Sequence, residues 1–149
     1  MKKIFMATML LFLLSIINHA DAQIRKVPAE VTEAFKEKYP DTKNVEWKDK
    51  LSNFQVTYEK DGVKYESKFS SKGVWLQTEK DIAEETLPST VKDGYSKSKF
   101  TDWEVKTATR VESKNNGIQY RLFVKKNDIE KKYLYFNEDG RLVKDVITI

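Results

Sequence analysis

The chain has 149 residues, 27 basic and 23 acidic side chains, a formal net charge of +4, no cysteine and a single histidine. The absence of cysteine excludes disulfide staples and thiol chemistry, so the fold must rest on packing and hydrogen bonds. Acidic and basic residues are interspersed and no basic block stands alone, which excludes the charge footprint of a nucleic-acid binder.

Residues 1–22 carry the three parts of an export signal: Lys2 and Lys3, an apolar run from Ile4 to Ile17, and small residues at Ala20 and Ala22. The run of 14 residues, 4 to 17, is shorter than the roughly 18 to 20 that span a bilayer. Cleavage after Ala22 is expected, with no membrane insertion afterwards, and the absence of a following cysteine excludes a lipid anchor. The expected location is the periplasm or the exterior. Residues 23–149 then form one domain with 25 basic and 22 acidic side chains. Because His19 leaves with the signal, that domain has neither imidazole nor thiol, so Ser/His/Asp and Cys/His machinery and the usual zinc, copper and haem ligands are missing. No catalytic residue, cofactor or metal is expected.

The remaining chain reads as two copies of one unit, 27–82 and 87–149. Val27-Pro28-Ala29-Glu30-Val31 and Leu87-Pro88-Ser89-Thr90-Val91 stand 60 residues apart; Phe54, Val56 and Tyr58 match Tyr120, Leu122 and Val124 at 66, and Gly73 matches Gly140 at 67. Each copy opens with a helix whose proline, just inside the first turn, costs no hydrogen bond. Val31, Ala34, Phe35 and Lys38 share one face of the first helix, which Pro40 stops. The second helix, near 88–98, contains Gly94 and is expected to be shorter or more mobile.

After each helix the apolar period drops to two. In the first copy the predicted strands are Val45 to Lys48, Phe54 to Tyr58, Val63 to Phe69 with Lys64, Glu66 and Lys68 facing water, and Val74 to Leu76, with Asp61-Gly62 as a hairpin turn. In the second they are Trp103 to Val111, Ile118 to Val124, Tyr133 to Phe136 and Leu142 to Ile149. The fold class that follows is α+β: two tandem α-β-β-β-β repeats with both helices on one side of an antiparallel sheet and the other face open.

Trp47 and Trp103 are expected beneath the helices. Trp75 lies between Val74 and Leu76, so strict alternation puts it on the opposite face from them, as an exposed anchor; Phe123 breaks the polar pattern of Gln119, Arg121 and Lys125 and is expected on the open face too. Trp75, Phe123, Arg121, Lys64, Glu66 and Lys68 are therefore the candidate partner-binding residues. The acidic clusters Glu84-Glu85 and Glu138-Asp139 read as solvated linker and turn residues, not as an acid/base pair held across a cleft. Asn137-Glu138-Asp139-Gly140 fails as a calcium loop, because its first and last ligand positions would be Tyr135 and Val146.

The run Val27-Pro28, Val31, Phe35, Tyr39-Pro40, Val45, Trp47, an alternating strand, an Asp-Gly turn, a Gly-Val-Trp turn and Leu87-Pro88 resembles the PepSY-like family of β-lactamase-inhibitor-like periplasmic proteins. The resemblance implies a tandem α-β-β-β-β fold and an inhibitory or binding role in the bacterial periplasm. The function expected is non-catalytic binding: inhibition or regulation of another cell-envelope protein, of the hydrolase or peptidase class, through the open sheet face and hairpin tips. The alternative is a small-ligand or ion-responsive periplasmic sensor accessory, which would show a deep apolar pocket between sheet and helix. A carboxylate hydrolase, which would show two acids converging in a cleft, ranks behind both.

Overall fold

The computed structural model describes residues 26–148; the predicted signal peptide lies outside them. The order is α1 (Ala29–Lys38), β1 (Lys43–Asp49), β2 (Phe54–Lys60), β3 (Val63–Phe69) and β4 (Trp75–Ile82), a 3-10 turn at Glu84–Thr86, then α2 (Ser89–Ser96), β5 (Glu104–Ser113), β6 (Gly117–Lys125), β7 (Lys131–Asn137) and β8 (Leu142–Ile147). All eight strands form one antiparallel meander in sequence order. β4 pairs directly with β5, from Gln77 opposite Ser113 to Ile82 opposite Ala108, so the two copies share a continuous sheet.

Both helices start in the same way. Pro28 and Pro88 occupy the N-cap, one position earlier than expected. Each proline carbonyl accepts from the residues three and four ahead: Val31 and Thr32 in α1, Val91 and Lys92 in α2. Proline suits this position because its missing N–H would have no helical partner. Helix α1 ends at Lys38, ahead of Pro40, and α2 is the shorter helix.

Each helix buries its apolar stripe on its own half of the sheet. Val31 and Phe35 cover Phe54, Val56, Tyr58 and Phe69. Leu87 and Val91 cover Ala108, Leu122, Val124, Leu134 and Phe136, with Phe100 closing the side. Phe35 is the hub of the first core, with ring centroids 5.4 Å from Trp47 and 5.0 Å from Tyr58 in edge-to-face geometry, the arrangement that aromatic quadrupoles favour. Trp103 packs beneath α2 as expected, 5.3 Å from Phe100, but just ahead of β5 and not within it. Under α1, Ser67 is fully buried and its hydroxyl is met by Tyr58 at 3.1 Å and Thr78 at 2.7 Å. Burial pushes the Tyr58 phenol well above its ordinary range.

One β-bulge occurs twice. Lys68 faces Gln77 while Phe69 faces Trp75, leaving Leu76 as the extra residue. Tyr135 faces Lys144 while Phe136 faces Leu142, leaving Val143 extra. A bulge shifts the side-chain alternation by one, and here it reverses the expectation for Trp75. Trp75 lies opposite Phe69 on the helix side, packs against the first core and donates from Nε1 to Thr78 at 2.9 Å. Lys38 of α1 sits 4.3 Å above its ring. Trp75 is therefore not an open-face anchor. Strand β4 is also longer than the predicted Val74 to Leu76, continuing to Ile82.

Candidate functional site: the open sheet face

Side chains that alternate with the core residues line the face left bare by the helices. In the first copy these include Gln55, Thr57, Lys64, Glu66 and Lys68, joined by Glu79 and Asp81 of β4. In the second they include Thr109, Arg121, Phe123, Tyr133, Tyr135 and Lys144. The face is concave, because Gln55, Glu79 and Thr109 are 9%, 7% and 3% exposed although no helix covers them. On a flat sheet such residues would face open water. The hollow has a volume of about 800 Å³ and its lining includes Lys64, Glu66, Lys68, Glu79 and Arg121. A smaller one of about 350 Å³, which shares Arg121, continues toward Tyr135 and Lys144.

At its centre the face is tied down by a polar network. Arg121 is ion-paired to Glu79, Lys68 lies 3.4 Å from the same carboxylate, and Gln77 donates to it at 3.0 Å. Lys68 also reaches Glu66 at 3.7 Å, and Gln55 donates to Glu66 at 2.5 Å. Thr109 donates to Asp81 at 2.8 Å. Burial by itself would lower the Arg121 pKa; the charge of Glu79 and the bonds to Tyr135 and Glu79 more than offset it and hold the guanidinium protonated above its ordinary value. The network links β4 of one copy to β6 of the other.

Five of the six candidate residues, Phe123, Arg121, Lys64, Glu66 and Lys68, share this face; Trp75 does not. Phe123 packs on Tyr133 with ring centroids 5.1 Å apart, and the Arg121 guanidinium lies 5.3 Å from the Tyr133 ring. Glu79 was missed by the sequence reading, since an acid in a strand reads as solvent-facing until curvature and Arg121 enclose it. Glu66 and Glu79 are cross-strand neighbours, two acids side by side in the hollow, with Asp81 two residues further along β4. Both Glu79 oxygens carry a donor, Oε1 from Gln77 and Lys68 and Oε2 from Arg121.

The acids singled out in the sequence stay in turns. Glu84 and Glu85 belong to the 3-10 turn, where the Glu85 carbonyl accepts from Lys92, and the Glu138 carbonyl accepts from Thr90 of α2. A third hollow, of about 490 Å³, lies between α1 and the edge strand β1 and is lined mainly by Phe35, Tyr39, Pro40, Val45 and Trp47. Among the described residues no helix is long and apolar enough to cross a membrane.

Comparison with known proteins agrees with this geometry. A BLIP-like protein from Bacteroides fragilis has a solved structure that superposes with a TM-score of 0.77 at 24% identity, over 86% of this chain and 91% of that one. A DUF2874 family protein from Bacteroides ovatus gives 0.76 at 23% identity, over 83% and 89%. A structure from Bacteroides eggerthii described as a periplasmic protein gives 0.74 at 20% identity, over 83% and 90%. At these identities the likeness is one of fold. No curated protein sequence matches the chain. The family model described as beta-lactamase-inhibitor-like, PepSY-like matches residues 16–63 and 52–144, and the chain, with its two helix-and-four-strand units in one sheet, belongs to that family.

Proposed function

We propose that this protein is a non-catalytic binding protein of the bacterial envelope that inhibits or regulates another envelope protein, of the hydrolase or peptidase class, by holding it against the concave sheet face. One observation carries the reading. Both helices cover the same side of an eight-stranded sheet, leaving opposite them a preformed hollow whose floor is pinned by ion pairs. A surface already ordered before binding loses little entropy when a partner docks. The inhibitor-like description of the family and the BLIP-like neighbour point the same way.

The test is capture from periplasmic extract by the domain of residues 23–149, compared with Phe123→Ala and Lys64→Glu on the concave face. Trp75→Ala, on the helix side, is the control, and circular dichroism checks the fold of each variant. The two face variants should each weaken capture of a specific partner by several-fold or more, as loss of an interface anchor does. Undiminished capture by both would sink the proposal.

A second reading is favoured by the hollow between α1 and β1, which has the apolar lining that a small-ligand sensor accessory needs. Quenching of Trp47 fluorescence by an apolar probe, abolished by Val45→Asp, would support it; no quenching would remove it.

A further inference from the structure

The two halves of the concave face are chemically unequal, and the difference bears on what the second half recognises. The first half is close to charge balance, with carboxylates and lysines interleaved along β1 to β4. On the second half the strand residues on the open face include Arg121, Lys125, Lys131 and Lys144. The one strand carboxylate among the described residues on that side is Glu104, at the start of β5, where Lys106 holds it at 2.6 Å.

Strand register arranges these residues in rows. Phe123, Tyr133 and Val146 lie side by side across β6, β7 and β8. One row on one side of them is Arg121, Tyr135 and Lys144; on the other side Lys125 faces Lys131. An apolar row is thus bracketed by two cationic rows. Each is two residues along the strand from the next, about 7 Å. Arg121 is engaged by Glu79 and Lys125 by Asp128. Lys131 makes no close ion pair among the described residues and shares the more distant charge of Asp128 with Lys125, and Lys144 leans on the Tyr135 ring, 5.6 Å away. Lys131 stands directly opposite Lys125 with one carboxylate, Asp128, close to the two of them, so the row keeps a positive excess that an incoming anion would complement.

We propose that this half of the face binds an extended acidic segment of the partner protein, in which an apolar or aromatic side chain has a carboxylate two positions before it and another two positions after. In an extended chain such side chains point the same way about 7 Å apart, the spacing of the rows. The central side chain would rest on Phe123 and Tyr133, and the carboxylates would meet Lys131 and Lys144. The inference rests on the concave-face reading above and specifies its ligand.

The test is an NMR titration of the isotopically labelled domain with the acetylated, amidated peptide Gly-Glu-Ser-Tyr-Ser-Glu-Gly. Shift changes should centre on Phe123, Lys131, Tyr133 and Lys144, and weaken as salt screens the lysines. The double variant Lys131→Glu with Lys144→Glu should lose roughly tenfold or more in affinity, as reversal of complementary charges does; Lys36→Glu, on the helix side, should bind as the parent does. Peptides with alanine for tyrosine, or lysine for both glutamates, should bind at least several-fold more weakly. No shift at these residues, equal binding of the lysine peptide, or phosphatidylglycerol vesicles binding there where the peptide does not would each overturn the inference. If it fails while Phe123→Ala still abolishes capture of a protein partner, the concave-face reading survives without it.

Discussion

Glu79 is 7% exposed in the middle of a face that no helix covers, and its carboxylate is shared between Arg121, Lys68 and Gln77. Removing one member of such a group leaves the others without their counter-charge, which costs more than an exposed pair and less than a fully buried one. Glu79→Gln should therefore lower stability by roughly 2 kcal/mol, read as a shift in urea midpoint with an unchanged slope. Asp145 is paired with Lys132 on the helix side, and the hydrogen bond and charge of Lys132 hold its carboxyl below the usual range. A carboxyl lowered in the folded state contributes stability that is fully present above the unfolded value, about pH 4, and is lost as pH falls through the folded one. Asp145→Asn should be less stable than the parent near neutrality by about 1 kcal/mol or less, as expected of a partly exposed pair. The gap should close on acidification, and urea denaturation at stepped pH checks it.

The glycines at helix-to-turn contacts show what an element needs beyond its own propensity. A side chain at Gly140 would place its Cβ 2.0 Å from the Thr90 carbonyl, and one at Gly94 would place it 1.8 Å from that of Gly140, so α2 and the β7–β8 turn approach backbone to backbone. Gly73 meets Glu30 of α1 at the corresponding place in the first copy. Gly62 shares the left-handed φ of Gly140, +75° against +80°, but has open space around it. Gly62→Ala should cost about 1 kcal/mol, the strain of a side chain at positive φ. Gly140→Ala should cost at least twice that, because a backbone must also move; thermal melting of the two variants isolates the contact. Gly94 reads in the sequence as a weakness of its helix, and α2 is indeed the shorter one, yet its reason for being glycine lies 46 residues away in Gly140. Trp75 teaches the converse: alternation is a sound guide until a bulge at Leu76 shifts it.

At the scale of the molecule the duplication is unequal at its ends. Trp47 faces Val56 on the edge strand β1, and Ala108 faces Leu122 at the matching place in the second copy. Ala108 can be small because Ile82 of β4 lies on its other side. Among the described residues Trp47 has no strand beyond it, and its indole covers Phe35 instead. Terminal repeats of an array are commonly altered in this way, since their outer side has no neighbour to bury it. The β4–β5 ladder and the Glu79–Arg121 pair join the halves through their interiors, so neither has a free surface along which to part. Unfolding should be one transition. Fluorescence midpoints from variants retaining only Trp47 or only Trp103 should coincide with each other and with far-ultraviolet circular dichroism; separate midpoints would show the halves melting independently.

By itself the sequence determined the duplication, the element order, the division of β2 and β3 between core and open face, and five of the six residues placed on that face. These follow from local periodicity and turn chemistry, which neighbouring residues carry among themselves. Only the tertiary structure decided the face of Trp75, the burial of Glu79 and the reason for Gly94. Each depends on pairing register, sheet curvature or the approach of a distant segment, and those are set by residues far away in the chain.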